Sequence, residues 1–254
     1  PVHAEWLHGY YTPYLREVTG GADPAPRRTG AFGSHLKVGF DEVEYGIVKR
    51  RVVRGTTEAD AEWRLGHISP FPNMNHTGGH ASYNLQWRVP MDDTHTFHVF
   101  YDVFIPAPGA RAPSQDRIPY RYSPDVPAAT DRDMYPNTLA DCSTMVQTLQ
   151  QDIIAWIGQG PVAKRHLERL GESDTGVILL RKMLEDNMRI VEQGGDPKNT
   201  FRDPNRNVCL ELLREGLEIN PDRLRVPTRY MPLAGGDSVA RQDVEATLAT
   251  WQNY

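Results

Sequence analysis

Cysteine is the scarcest reactive resource in this chain of 254 residues: Cys142 and Cys209 are its only two, they stand far apart, and neither has a CxxC partner. A disulfide framework and a four-cysteine zinc site are thereby excluded, and two buried thiols are expected. Nor is there an apolar run near the ~20 residues that cross a bilayer, or a charged-then-apolar leader at the start. The chain therefore reads as soluble and cytoplasmic. Charge of one sign is also missing, since 33 carboxylates face 28 Lys plus Arg for a net charge of -5, with no basic stripe. Nucleic acid is not an expected partner. The glycine pairs at 20–21, 78–79, 194–195 and 235–236 lack the spacing of a dinucleotide or phosphate loop, and no GxSxG elbow marks a serine hydrolase. There is no internal repeat or low-complexity tract.

What is present is a core and a clear organisation. A hydrophobic content of 39% suffices for one large domain or two small ones. The opening PVHAEWLHGYY has Trp6, Leu7 and Tyr10 at near-helical spacing, and a Gly-Pro-rich loop follows over 19–34. Five β-prone segments come next: His35 to Phe40, Val43 to Arg54, Ala61 to Ile68, Ala81 to Val89 and Thr94 to Ile105. Their punctuation by Gly78-Gly79, Pro90 and Asp92-Asp93 predicts successive antiparallel hairpins. In the last segment Phe97, Val99, Tyr101, Val103 and Ile105 alternate, which predicts that this set faces the core. After a long Pro-rich loop over 106–137, helical period returns over 138–158, with Asp152 on the flank of the apolar face. A second helix is signalled by GESDTGVILLRKMLEDNMRIVEQGG, with Ser173 or Asp174 to cap it and Gly194-Gly195 to end it.

Histidine carries the candidate chemistry. In HAEWLH, His3 and His8 are five apart, whereas the zinc-protease HExxH places its pair four apart on one helical face. At roughly 100° per residue, five steps leave the two about 140° apart on a regular helix. They can share a metal only where the helix bulges to π geometry or ends between them. A two-histidine site without thiolates also needs a carboxylate from elsewhere in the chain, the donor set of non-haem Fe(II) oxygenases. By contrast, His76 and His80 in HTGGH flank a glycine turn and read as solvated loop residues. His95 and His98 read as strand residues pointing to opposite faces.

Four blocks in order resemble one family. PVHAEWLHGYY at the start, FPNM at 71–74, RVPMDDTHTFHVFY at 88–101 and QQDIIAWIGQGPVAKRHLERLGESDTGVILLRKML at 150–184 are similar to Rieske non-haem iron aromatic ring-hydroxylating oxygenases. The branch is that of phthalate 4,5-dioxygenase and the 5,5'-dehydrodivanillate O-demethylases. The resemblance implies His3, His8 and Asp152 as ligands of a mononuclear Fe(II); Asp141, Asp92 and Asp93 are the alternative acids in the sequence, the last two read as residues of a hairpin turn. It implies an α+β helix-grip fold, an antiparallel sheet wrapped around a long C-terminal helix, over 1–254 as a single catalytic domain. Trp63, Phe71, Asn73 and Trp87 are candidates for an aromatic-lined substrate wall, and Arg27 and Arg28 for a substrate carboxylate.

The same resemblance implies O2, an aromatic substrate that is hydroxylated or O-demethylated, and a trimeric assembly. Electrons would come from a Rieske [2Fe-2S] cluster served by an NAD(P)H-dependent reductase or a ferredoxin. The Cys-x-His and Cys-x-x-His pair that holds such a cluster does not occur here. Because the match begins at Pro1, the N-terminal Rieske domain is expected outside this chain, which alone is then expected to bind iron but turn over poorly. A metal-free helix-grip module carrying an apolar molecule is the alternative reading, and it has no need of three convergent ligands.

Overall fold

The computed structural model describes residues 7–8, 34–78, 81–112, 152, 155–156, 158–213 and 238–253. All but the last residue of the expected loop over 19–34, with Arg27 and Arg28, and also His3, His80, Asp141, Cys142 and most of 106–151, lie outside them.

Among the described residues two antiparallel sheets of three strands organise the fold. In the first, β1 (His35–Val43), β2 (Gly46–Val53) and β3 (His67–Pro70) lie in sequence order. The β1–β2 turn is two residues, with Val43 opposite Gly46. Gly46 is required there, because a Cβ would stand 2.2 Å from the Ser69 carbonyl oxygen of the neighbouring strand. In the second sheet, β4 (Met74–Gly78), β5 (Ser82–Pro90) and β6 (Thr96–Phe104) are also in order.

The single strand expected over 61–68 is instead a helical turn, α1 (Ala61–Arg64), followed by β3. The Asp60 carboxylate accepts the Thr57 amide at 2.7 Å, the Asp60 carbonyl accepts from the Trp63 and Arg64 amides, and Gly66 at φ +66° stops the turn. Side-chain competition for backbone donors thus overrides strand propensity. His95 belongs to the β5–β6 turn rather than to a strand. Asp92 Oδ1 accepts the Thr94 and His95 amides at 2.7 and 2.8 Å, and these bonds with the His95 ring hold its carboxyl down at about 2. His76 is not a solvated loop residue. It sits on β4, only 2% exposed, with Tyr83 at its ring edge. Cys209 is exposed, against the expectation of a buried thiol.

The best-marked helix in the sequence is α2 (Thr175–Glu192). Met183 packs with Ile47 and Phe71, while Phe40, Leu179 and Leu180 close the edge of that cluster. These positions on α2 are three to four apart, the period that puts them on one stripe. Asp174 precedes the helix without a side-chain cap, because its carboxylate takes the Gly171 amide instead at 2.9 Å. The helix ends where the Gly195 amide reaches back to Ile190 and Gly194 adopts φ +80°, as the glycine pair predicts. At the other end of the molecule α3 (Ser238–Ala249) brings Val244 and Leu248 against Ala81, Ala107, Trp251 and Phe104. Trp251 Nε1 donates to the Ile105 carbonyl at 2.7 Å, which ties the helix to the end of β6. Among the described residues no helix is long and apolar enough to cross a membrane.

The alternation of β6 is inverted in face over 97–101, whereas of the same expected core set Val103 and Ile105 are half-buried and the intervening Asp102 is exposed. Phe97, Val99 and Tyr101 are exposed by 41%, 36% and 39%, while the intervening His98 and Phe100 turn inward. The helical residues Asp152 and Trp156 lie on the His98 side, and α3 covers the same face at Phe104. The inner face of this sheet is therefore the polar one.

Candidate metal centre

Strand β5 alternates Tyr83, Leu85, Trp87 on one face with Asn84, Gln86, Arg88 on the other. On the inner face a hydrogen-bonded ladder runs along the strand. Arg88 Nη2 donates to Gln86 Oε1 (2.8 Å), Gln86 Nε2 donates to Asn84 Oδ1 (2.8 Å), and Thr77 Oγ1 of β4 donates to the same oxygen (2.9 Å). Across the sheet the register sets His98 opposite Arg88, Phe100 opposite Gln86 and Asp102 opposite Asn84. Within the ladder the Asn84 and Gln86 side chains bond to each other and to Thr77 and Arg88, which offsets much of the cost of withdrawing this face from water.

Asp152 and Trp156 are helical and four residues apart, a spacing that puts both on one side of a helix. Trp156 meets the inner face of the sheet: the Arg88 guanidinium is 5.2 Å from its ring, and the His98 ring is 5.3 Å from it at 76°. Burial lowers the pKa of the Arg88 guanidinium, and the Asp152 carboxylate opposes that shift. His98 is likewise pushed down, first by burial and then by the Arg88 cation, again against the pull of Asp152.

Beyond that wall, His8 is 4% exposed and its Nε2 stands 3.1 Å from Oδ1 of Asp152. Leu7 and His8 are π-helical, the irregularity that a five-residue histidine spacing calls for. The pair joins positions 8 and 152, and imidazole nitrogen plus carboxylate oxygen is a donor set that suits a borderline divalent ion. Among the described residues no group of three His, Cys, Asp or Glu could hold a metal. The third expected ligand, His3, lies outside them. The two donors that are described fit such an ion in type and in mutual approach, with His8 buried and Asp152 half-buried.

The remaining expected site residues separate into two places. Phe71, Asn73 and Trp87 line an apolar groove of about 920 Å³ between the β3–β4 turn and α2, together with Tyr45, Leu184 and Met188. Neither His8 nor Asp152 lines it, and Trp87 is on the face of β5 opposite Arg88. Trp63 is elsewhere, against Gly39 with the Lys37 ammonium 4.3 Å above its ring. Of the alternative acids, Asp92 and Asp93 are in the β5–β6 turn. Sequence reasoning missed Arg88, His98, Gln86 and Trp156. The signal was available in the period-2 run of Asn84, Gln86 and Arg88, had the polar set been read as the inward one.

A buried imidazole and a half-buried carboxylate brought together from distant parts of the sequence define a candidate mononuclear metal centre of the histidine–carboxylate class. No family model matches the chain. It is 32% identical over 213 residues to the 5,5'-dehydrodivanillate O-demethylase oxygenase subunit of Sphingobium sp. (strain NBRC 103272 / SYK-6), covering 84% of this chain and 44% of that protein. It is also 28% identical over 131 residues to the phenoxybenzoate dioxygenase subunit alpha of Ectopseudomonas oleovorans, covering 52% of this chain and 28% of that protein. Both relatives are Rieske-type oxygenases, and the chain belongs to that family. It spans less than half the length of each.

Proposed function

We propose that this chain is the iron-bearing part of a Rieske-type oxygenase that hydroxylates or O-demethylates an aromatic substrate, with His3, His8 and Asp152 holding one Fe(II). The observation that carries this reading is the 3.1 Å approach of buried His8 to Asp152. When bound, the iron supplies O2 activation, drawing electrons from a [2Fe-2S] cluster that lies outside this chain and is fed by a reductase or ferredoxin. The protein's own part is positional. The π-helical turn aims His8, the helix bearing Asp152 brings the carboxylate, and Trp156 of that helix joins Phe100 against the His98 ring on the neighbouring wall. The hydrogen-bonded ladder from Thr77 to Arg88 fixes the polar side of that wall. A helix-grip arrangement of sheet and helix, and a trimer in which a neighbouring subunit supplies the cluster, belong to the same proposal.

The substrate is proposed as an aromatic compound because both relatives are named for one, dehydrodivanillate in the first and phenoxybenzoate in the second. The apolar groove lined by Phe71, Asn73 and Trp87 favours a second reading, a metal-free module that carries an apolar molecule. Iron separates the two. Anaerobic titration is expected to load about one Fe(II) per chain, and Asp152→Ala to lose it. Stoichiometric iron in that variant would sink the ligand assignment, and no iron in the parent chain would favour the carrier.

A further inference from the structure

The wall beside the metal centre contains two half-buried side chains whose donors are, among the described residues, not all used. Arg88 has five N–H donors in a planar fork, and the ladder takes only Nη2, which goes to Gln86. Among the described residues no carboxylate forms an ion pair with it. His98 has Nε2 buried away from solvent with no hydrogen-bond partner among the described residues. Because the two residues are direct cross-strand partners, their side chains stand next to each other on one face. Phe100 is at the edge of the His98 ring, 6.0 Å away, and Trp156 touches both Arg88 and His98.

We propose that Arg88 and His98 together seat the carboxylate of an aromatic acid beside the His8–Asp152 centre. This rests on the reading of that centre given above and adds the class of substrate to it. The chemistry selects the ligand. A cation with a planar fork takes a planar, two-oxygen anion, and the imidazole adds a third donor if its proton is on Nε2. The aromatic rings alongside select a carboxylate carried on an aromatic body over a small inorganic anion. A phenol is the weaker candidate, because phenols are neutral near pH 7 whereas benzoic acids are ionised.

The test compares phenoxybenzoate with phenoxybenzamide, which differ in charge but hardly in shape, by anaerobic calorimetric titration of the Fe(II)-loaded chain. The acid is expected to bind at least about tenfold more tightly than the amide, as charge-assisted bonds in a half-buried site provide. Arg88→Gln and His98→Ala are each expected to remove most of that preference, and Arg88→Lys, which keeps the charge but not the fork, to retain part of it. Equal binding of acid and amide by the parent chain would overturn the proposal without reference to any variant. So would an acid preference that survives both Arg88→Gln and His98→Ala, since it would place the carboxylate on the iron. Iron per chain is measured in the same samples. An iron-free chain that still prefers the acid through Arg88 supports the anion wall and refutes the metal reading, whereas an iron-replete chain indifferent to acid or amide does the reverse.

Discussion

Replacing Gly46 by alanine should destabilise the first sheet by an amount that follows from its geometry. The added Cβ would stand 2.2 Å from the Ser69 carbonyl oxygen and 2.9 Å from both the Phe71 nitrogen and the Pro70 Cα. All three are backbone atoms, so no rotamer change relieves them. A carbon and a carbonyl oxygen settle at about 3.3 Å or more, which requires β2 and β3 to part by about 1 Å locally. Overpacking of this kind costs roughly 1–3 kcal/mol. The bond from the Phe71 amide to the Tyr45 carbonyl, 2.9 Å long, spans the same gap, and losing it adds about 1 kcal/mol. The sum is about 2–4 kcal/mol, or a fall in Tm of roughly 5–15 °C for a chain of this size.

Gly55 supplies the control. At φ +87° it also disfavours a side chain, yet a Cβ there meets nothing within 4 Å. Gly55→Ala therefore carries only the conformational cost, about 1–2 kcal/mol. Scanning calorimetry or circular dichroism of both variants separates packing from backbone preference. If Gly46→Ala lowers Tm no more than Gly55→Ala, the close approach of β2 to β3 is not what demands glycine, and the reasoning fails.

Two further outcomes are expected. Burial raises the Asp102 carboxyl from its ordinary value of 3.8 to about 6, so the folded state prefers it protonated, and its ionisation costs stability increasingly between pH 3.8 and 6 and fully above that window. Because the side chain keeps contact with solvent the cost is screened; Asp102→Asn should raise Tm at pH 7.5 and leave it unchanged near pH 4, and an equal gain at both pH values would refute this sign. Asn187, buried on α2, donates to the Met183 carbonyl at 2.7 Å and accepts the Lys198 amide at 2.6 Å; Asn187→Ala should cost about 1–3 kcal/mol and speed hydrogen exchange at Lys198, and an unchanged rate there would refute its role in holding the loop after α2.

Periodicity was legible wherever one residue type dominated a face. The hairpin turns at Asp92-Asp93 and the glycine end of α2 are written in local chemistry, and the structure follows them. The five-residue histidine spacing called for a break in helical regularity, and residues 7 and 8 are π-helical. The failures share a cause. His76 beside a glycine pair looked solvated, and Ala61 to Ile68 looked like one strand, because each judgement used neighbours in sequence. Burial of His76 comes from packing across the sheet against Tyr83, and the helical turn at Ala61 from an aspartate side chain that captures a backbone amide.

The sequence by itself determined the periods of the strands and helices and, through four ordered blocks, the family. It also showed that this chain does not carry the Cys-x-His and Cys-x-x-His spacing of a Rieske cluster. Tertiary structure alone decided which face of a two-faced strand is inside. On β6 Phe97, Val99 and Tyr101 are exposed and His98 meets Trp156, because a period of two fixes alternation but carries no sign. For the same reason the meeting of His8 with Asp152, and of Arg88 with His98, exists only once distant segments pack together.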